Sequence, residues 1–322
     1  MLMSHRVLYL LVAFLAACSG ADHASRDRTA VGGAIVAFNA GSLARPLRAA
    51  LDTFARRTGV AVQQENAGSL ETARKLTELG KIPDVIALDD REVFPQLLVP
   101  EHVSWYVEFA RNRMVVAYTD RSRGADEITG DNWYQVLARP GVEVGRADPN
   151  LDPNGYRTLL TLQLAERHYR QPGLYRRLLA AAPPRNVRPK EADLVGLLQA
   201  GELDYIWSYE SIAQAAGLHF VRLPSAIDLG DPADSAFYAG AVVRVTGTTP
   251  RDTVEFRGAP IVYALSVPRR APHPDIAARF VEFLLSDDGR RVLRQARLDA
   301  LDRPVLVGSG VPAGVAAVGG RR

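Results

Sequence analysis

Short apolar runs alternate along the chain with segments in which apolar residues recur every three or four positions, the pattern of alternating strands and helices. Ala34 to Phe38 predicts a strand, and Leu43, Leu47, Leu51 and Phe54 then share one face of a helix closing near Gly59. Val60 to Gln64 predicts a second strand. Leu70, Ala73, Leu76 and Leu79 mark the next helical stripe, stopped by Gly80, and Val85 to Leu88 predicts a third strand. Met114 to Tyr118 is another β run. The polar segment after it, rich in Arg, Gly and Asp, is the expected crossing into a second lobe. Helices around Leu159 to Tyr169 and Leu194 to Leu198, and a strand from Tyr205 to Ser208, belong to that lobe. The chain then returns through a strand at Ile261 to Val267, and Pro274 leads into a helix over Ile276 to Leu285. The expectation is an α/β fold, with lobe 1 formed by residues 31–118 and 257–301, lobe 2 by residues 119–256, and a flexible tail at 302–322. Two crossings imply a hinge and a cleft between lobes.

The amino terminus changes the picture from a plain globular protein to an exported one. Arg6 precedes an apolar run from Val7 to Ala17, followed by Cys18, Ser19 and Gly20, the layout of a secretory signal over residues 1–17. That run is too short to span a bilayer, which takes about 20 residues. Leu15-Ala16-Ala17-Cys18 resembles the lipobox of bacterial lipoproteins, in which the cysteine is acylated and becomes the mature amino terminus. Cys18 is the only cysteine, so one copy can form no disulfide. Residues 18–30 read as a tether, which places the protein in the periplasm or at the cell exterior with the lipid as its only membrane contact.

Composition narrows the function classes. At 47% hydrophobic and 23% charged the chain is an ordinary globular protein, and no second apolar run could make it a channel. The net charge of +3 comes from scattered arginines balanced by acids, without a basic stripe interleaved with aromatics, so nucleic acid is not an expected partner. The six histidines form no H-x-x-x-H pair, and neither a phosphate-cradling G-x-x-x-x-G-K-[ST] nor a G-x-S-x-G elbow occurs.

Three constellations could carry chemistry. Ala-Gly-Ser-Leu occurs at Ala40 to Leu43 and again at Ala67 to Leu70, each time after a predicted strand and before a predicted helix. Ser42 and Ser69 can cap their own helices, and the helix amino termini can equally favour an anion. Repetition at equivalent junctions gives the shared anion its weight. Gly145 to Arg157 contains two Asp-Pro pairs, a rigid, non-helical loop before the next helix, with Asp152 as a local helix cap. Arg188-Pro189-Lys190-Glu191 opens another helix with an acid in its first turn, and Tyr209 sits at the aromatic end of a strand.

Taken in order, these segments resemble the periplasmic molybdate/tungstate-binding proteins, the branch called WtpA or class III ModA. The resemblance runs from about Ala34 to Leu301. Besides the two Ala-Gly-Ser-Leu turns it rests on Asn132-Trp133-Tyr134, Gly145-Arg146 through Asp152-Pro153, Arg188 to Glu191, Asp228 to Pro232 and Pro260 to Tyr263. It implies the two-lobed type II periplasmic solute-binding fold, no enzymatic step, no cofactor, a monomer, and an ABC transporter permease as partner. In that family the metal of the oxoanion is six-coordinate, two carboxylate oxygens joining the four oxo groups. The matching residues here are Asp152 and Glu191, with Ser42 and Ser69 as the serine pair and Tyr209 as the remaining contact. Asn154 stands where many relatives carry cysteine, and the segment before Arg188 is shorter.

The chemistry behind that implication is selective. A carboxylate pair beside a dianion is repulsive unless it bonds to a hard, high-valent metal that prefers oxygen donors. Two other readings stay open at this stage: a binding protein for sulfate, phosphate or an organic anion, and more remotely an exported hydrolase using Asp152 and Glu191 as an acid/base pair.

Overall fold

The computed structural model describes residues 34–247 and 251–321. The expected signal peptide, Cys18 and the tether lie outside the described residues. The strands are, in chain order, β1 Ala34–Ala40, β2 Ala61–Ala67, β3 Val85–Leu88, β4 Trp105–Arg111, β5 Met114–Tyr118, β6 Val144–Ala147, β7 Val187–Arg188, β8 Tyr205–Tyr209, β9 His219–Arg222, β10 Val242–Thr246, β11 Thr253–Arg257, β12 Val262–Ser266, β13 Asp299–Gly308 and β14 Gly320–Arg321. They form a seven-stranded sheet in the order β14-β13-β4-β12-β3-β1-β2, a five-stranded sheet in the order β7-β6-β8-β5-β9, and the hairpin β10-β11. The architecture is α/β with two sheets, as the alternation predicts.

The first sheet is built around parallel pairing of β1 with both β2 and β3, connected by helices. The helix Ala44–Thr58 buries Leu47, Ala50, Leu51 and Phe54, and ends at Gly59 in a left-handed conformation with φ 76°. The expected apolar stripe and stop signal both do their work there. The helix Ser69–Thr77 buries Leu70, Ala73 and Leu76, but Leu79 falls past its end and is exposed.

Two expectations on boundaries are corrected. Met114–Tyr118, assigned from sequence to the first lobe, pairs antiparallel with β8 and β9 in the second sheet. The chain therefore changes sheet at Asn112-Arg113, between β4 and β5, and returns between β11 and β12. An apolar five-residue strand carries no label for its sheet; only its partners decide. The segment expected to be a flexible tail is also structured. β13 pairs antiparallel with β4, β14 pairs parallel with β13, and the helix Ala313–Val318 buries Val315. Its Gly- and Ala-rich composition reads as loose, yet Leu306 and Val315 find a core to enter.

Glycine 68 marks where the two halves meet. A Cβ there would lie 2.1 Å from the Leu151 carbonyl oxygen and 3.1 Å from Asp152 Cα, across the gap between the sheets. The Glu71 N–H reaches the same Leu151 carbonyl at 3.4 Å. Gly68→Val is expected to push the halves apart rather than unfold either, because opening relieves the clash. Small-angle scattering should then show a larger radius of gyration, with the destabilisation confined to about 1–3 kcal/mol in thermal melts.

Candidate functional site

Strand pairing assembles one wall of the site. β1 and β2 run parallel with Ala40 opposite Ala67, so the two Ala-Gly-Ser-Leu turns leave the sheet side by side. β3 lies on the other flank of β1, with Asn39 opposite Ala87, so Asp89 emerges at the same carboxyl edge. Crevices at the carboxyl ends of parallel strands are where α/β sheets bind ligands. Ser42 and Ser69 are both buried, but neither caps its helix by a side-chain hydrogen bond; the flanking positions Ala40 and Gly68 are the caps. Both hydroxyls instead turn to one carboxylate. Ser42 Oγ donates to Asp89 Oδ2 at 3.2 Å, Ser69 Oγ donates to Asp89 Oδ1, and the Asp89 N–H donates to Ser69 Oγ at 3.1 Å.

The other wall comes from the second sheet. The Asp148 N–H donates to the Arg188 carbonyl, tying the Asp-Pro loop to the segment before Glu191. Asp152 caps the helix Pro153–His168, accepting from the Asn154 N–H at 2.9 Å, while its other oxygen accepts from the Glu191 N–H at 3.1 Å. Asp152 is therefore both the local cap and a member of the site. Glu191 begins the helix Glu191–Ala200, and its Oε1 accepts from Ser208 Oγ at 2.6 Å and the Tyr209 N–H at 2.7 Å. Its Oε2 is buried and has no hydrogen-bond partner among the described residues; the same holds for the side chain of Asn154. The structure thus brings Asp152 and Glu191 together, and holds Tyr209 beside them.

Residues to which the sequence reading gave no role join the walls. Arg157, 3% exposed, donates to the Asp89 carbonyl at 2.9 Å and to the Tyr209 hydroxyl at 2.7 Å, and pairs with Asp90 at 3.2 Å. The Tyr156 hydroxyl donates to Asp90. Asn112, in the crossing between sheets, donates to the Tyr263 hydroxyl at 2.8 Å and to Ser211 at 2.7 Å. The Asp89-Asp90 pair directly after a strand was a usable signal. A buried Arg157 one turn into a helix has none, since its role depends on partners 52 and 68 residues away in sequence.

One cation among four buried carboxylates sets the electrostatics. Burial raises Asp152 to about 7, and the nearby Asp89 charge pushes it in the same direction. Glu191 is pushed well above the usual carboxylate range, first by burial and then by Asp152. Burial likewise raises Asp89, against the pull of Arg157 and the serine hydroxyls. Among the described residues no group of three or more His, Cys, Asp or Glu side chains is arranged to hold a metal ion.

A cavity of about 200 Å³ adjoins this region, lined by Ser42, Ala44 and Pro46 on one side and Ala192, Ser211 and Ile212 on the other. The larger cavity, about 530 Å³, lies beside Arg111, Arg113 and Arg297 and includes none of the five candidate residues.

Known proteins agree with this architecture. A relative from Petrotoga mobilis, described as an uncharacterized solute-binding protein, is 44% identical, the alignment covering 84% of this chain and 85% of that protein. The molybdate/tungstate-binding protein WtpA of Pyrococcus abyssi is 35% identical over 94% of each chain. Among solved structures, the sulfate-binding protein SubI of Mycobacterium tuberculosis superposes with TM-score 0.59 at 16% identity, covering 89% of this chain and 90% of that one. The periplasmic molybdate-binding protein of Azotobacter vinelandii does so with TM-score 0.58 at 16% identity, over 82% and 98%. At such identities the two structures establish the two-lobed fold and nothing about the ligand. The family described as bacterial extracellular solute-binding protein matches residues 35–296, and with these relatives beside that match, the chain belongs to that family.

Proposed function

We propose that this protein captures a tetrahedral oxoanion, tungstate or molybdate, and presents it to the permease of an ABC importer, with Asp152 and Glu191 bonding directly to the metal of the ion. The observation that carries the reading is the Glu191 carboxylate: one oxygen is fixed by two hydrogen bonds, and the other is buried without a partner. A buried polar atom without a partner costs about 1–3 kcal/mol, so a ligand that satisfies it is favoured. The site offers hydroxyls and strand-end turns from one sheet and oxygen donors from the other, and WtpA relatives at 33–35% identity cover nearly the whole chain.

Function follows from closure of the two lobes on the ion. Residues 112–113 and 258–261 are the hinge, Gly68 and Leu151 meet when the halves close, and the permease reads the closed form. The export signal and the acylated Cys18 hold this monomeric receptor at the membrane surface outside the cytoplasm.

Calorimetric titration of the chain from about Ala21 onward with tungstate, molybdate, sulfate and phosphate tests the reading. Tungstate and molybdate are expected to bind, and sulfate and phosphate to stay silent. Binding of sulfate or phosphate alone would overturn metal coordination while leaving the family intact. Asp152→Asn and Glu191→Gln should each weaken tungstate by at least about tenfold, that is about 1.4 kcal/mol. An unchanged affinity in either variant removes that residue from the coordination shell.

Acid–base behaviour supplies a further prediction. An unfolded-state carboxylate titrates near 4, so with Asp152 raised to about 7 the native state holds more protons across that window. The resulting stability is present below about pH 4 and is lost as pH rises through about 7, and Glu191 acts in the same direction. Melting temperatures of the protein without added oxoanion should fall between about pH 5 and pH 8. Asp152→Asn should flatten that slope.

A further inference from the structure

The serine pair that the oxoanion reading relies on is already engaged by the protein itself. Each hydroxyl carries one proton and can donate only one hydrogen bond at a time. Ser42 gives its proton to Asp89 Oδ2 and Ser69 gives its proton to Asp89 Oδ1. Ser69 is held in that orientation from both sides, because its oxygen also accepts from the Asp89 N–H at 3.1 Å. No proton on either hydroxyl remains for an incoming anion in this arrangement. The two hydroxyls are held by opposite oxygens of one carboxyl group, the Ser69 bond being the shorter.

The position is built rather than incidental. Asp89 is 2% exposed and leaves β3 at the edge where β1 and β2 deliver the two serines. Its main-chain carbonyl is gripped by Arg157, which fixes the backbone while leaving the side chain the freedom of two rotatable bonds. Asp90, the neighbouring acid, is engaged differently, by Tyr156 and Arg157. The two consecutive acids thus have separate tasks. One neutralises the buried guanidinium, and the other sits on the hydroxyls like a bound anion.

We propose that Asp89 is an internal competitor for the ligand, an affinity-setting residue whose carboxylate must release Ser42 and Ser69 before an oxoanion can use them. The inference rests on the oxoanion reading given above and adds a reason for reversible capture. A receptor that hands its cargo to a permease has to let go, and a tethered carboxylate ready to reclaim both hydroxyls accelerates that step. It also penalises every anion that displaces it, and only an ion gaining new bonds to Asp152 and Glu191 has an offset for that penalty.

The test compares the mature wild-type chain with Asp89→Ala and Asp89→Asn, titrated with sodium tungstate and sodium molybdate, with dissociation followed by tryptophan fluorescence. Asp89→Ala should bind at least tenfold more tightly, mainly through slower dissociation, and Asp89→Asn should fall between it and wild type. Since the effect acts through the hydroxyls, the gain should vanish when Asp89→Ala is made in a Ser42→Ala/Ser69→Ala background. That coupling separates competition from a general effect on folding, and circular dichroism confirms that each variant is folded. If wild type binds and both folded Asp89 variants bind equally or more weakly, the competitor role is wrong while the oxoanion reading stands. If neither wild type nor variants bind tungstate or molybdate, the oxoanion reading fails and this inference fails with it.

Discussion

Everything at this site depends on one buried guanidinium. Arg157 touches the first sheet through the Asp89 carbonyl and Asp90, and the second through Tyr209. Removing one partner from a buried, hydrogen-bonded ion pair typically costs about 3–5 kcal/mol, because the other charge is left without compensation. Here the penalty would fall on the junction itself. Arg157 also lies 5.6 Å from the centre of the Tyr209 ring and 5.9 Å from that of Tyr156, within cation–π range of both. A lysine could not replace this set of directed contacts.

Around that cation the protein gathers more acids than it pairs. Asp90 is paired, which leaves Asp89, Asp152 and Glu191 as buried acids whose ionised forms are all penalised by burial. Such a cluster is an unfavourable place for an anion held by hydrogen bonds alone. On the reading proposed above, it suits an ion whose central atom accepts oxygen donors, because the acids that repel the oxo groups would then bond to the metal.

The parallel sheet explains why such a site can form from short, unremarkable turns. Pairing Ala40 with Ala67 sets two identical tetrapeptides at one edge, and β3 adds an acid beside them. Absence of a side chain at Gly68 then lets the second sheet's Asp-Pro loop approach to contact distance. The crossing at Asn112-Arg113 belongs to that unit too, since Asn112 is bonded to Tyr263 in the first sheet and Ser211 in the second half.

Much of this was legible in the sequence because its causes are local. Short apolar runs and period-3.6 apolar stripes predicted β1 to β3, the helix ending at Gly59 and the helix after Pro274. The duplicated Ala-Gly-Ser-Leu turns drew attention to Ser42 and Ser69 and the Asp-Pro loop to Asp152 as a cap, while ligand roles for Asp152, Glu191 and Tyr209 came only from the family resemblance. What the tertiary structure alone decided are the matters that depend on distant partners. It placed Met114–Tyr118 in the second sheet and folded residues 299–321 onto the first. It also chose Arg157 as the bridge, and it turned both serine hydroxyls from their helices towards Asp89. The physical reason is the same in each case: helix caps, turns and apolar stripes are read within a few residues, whereas a strand's sheet or a hydroxyl's acceptor is set by groups that folding brings from tens of residues away.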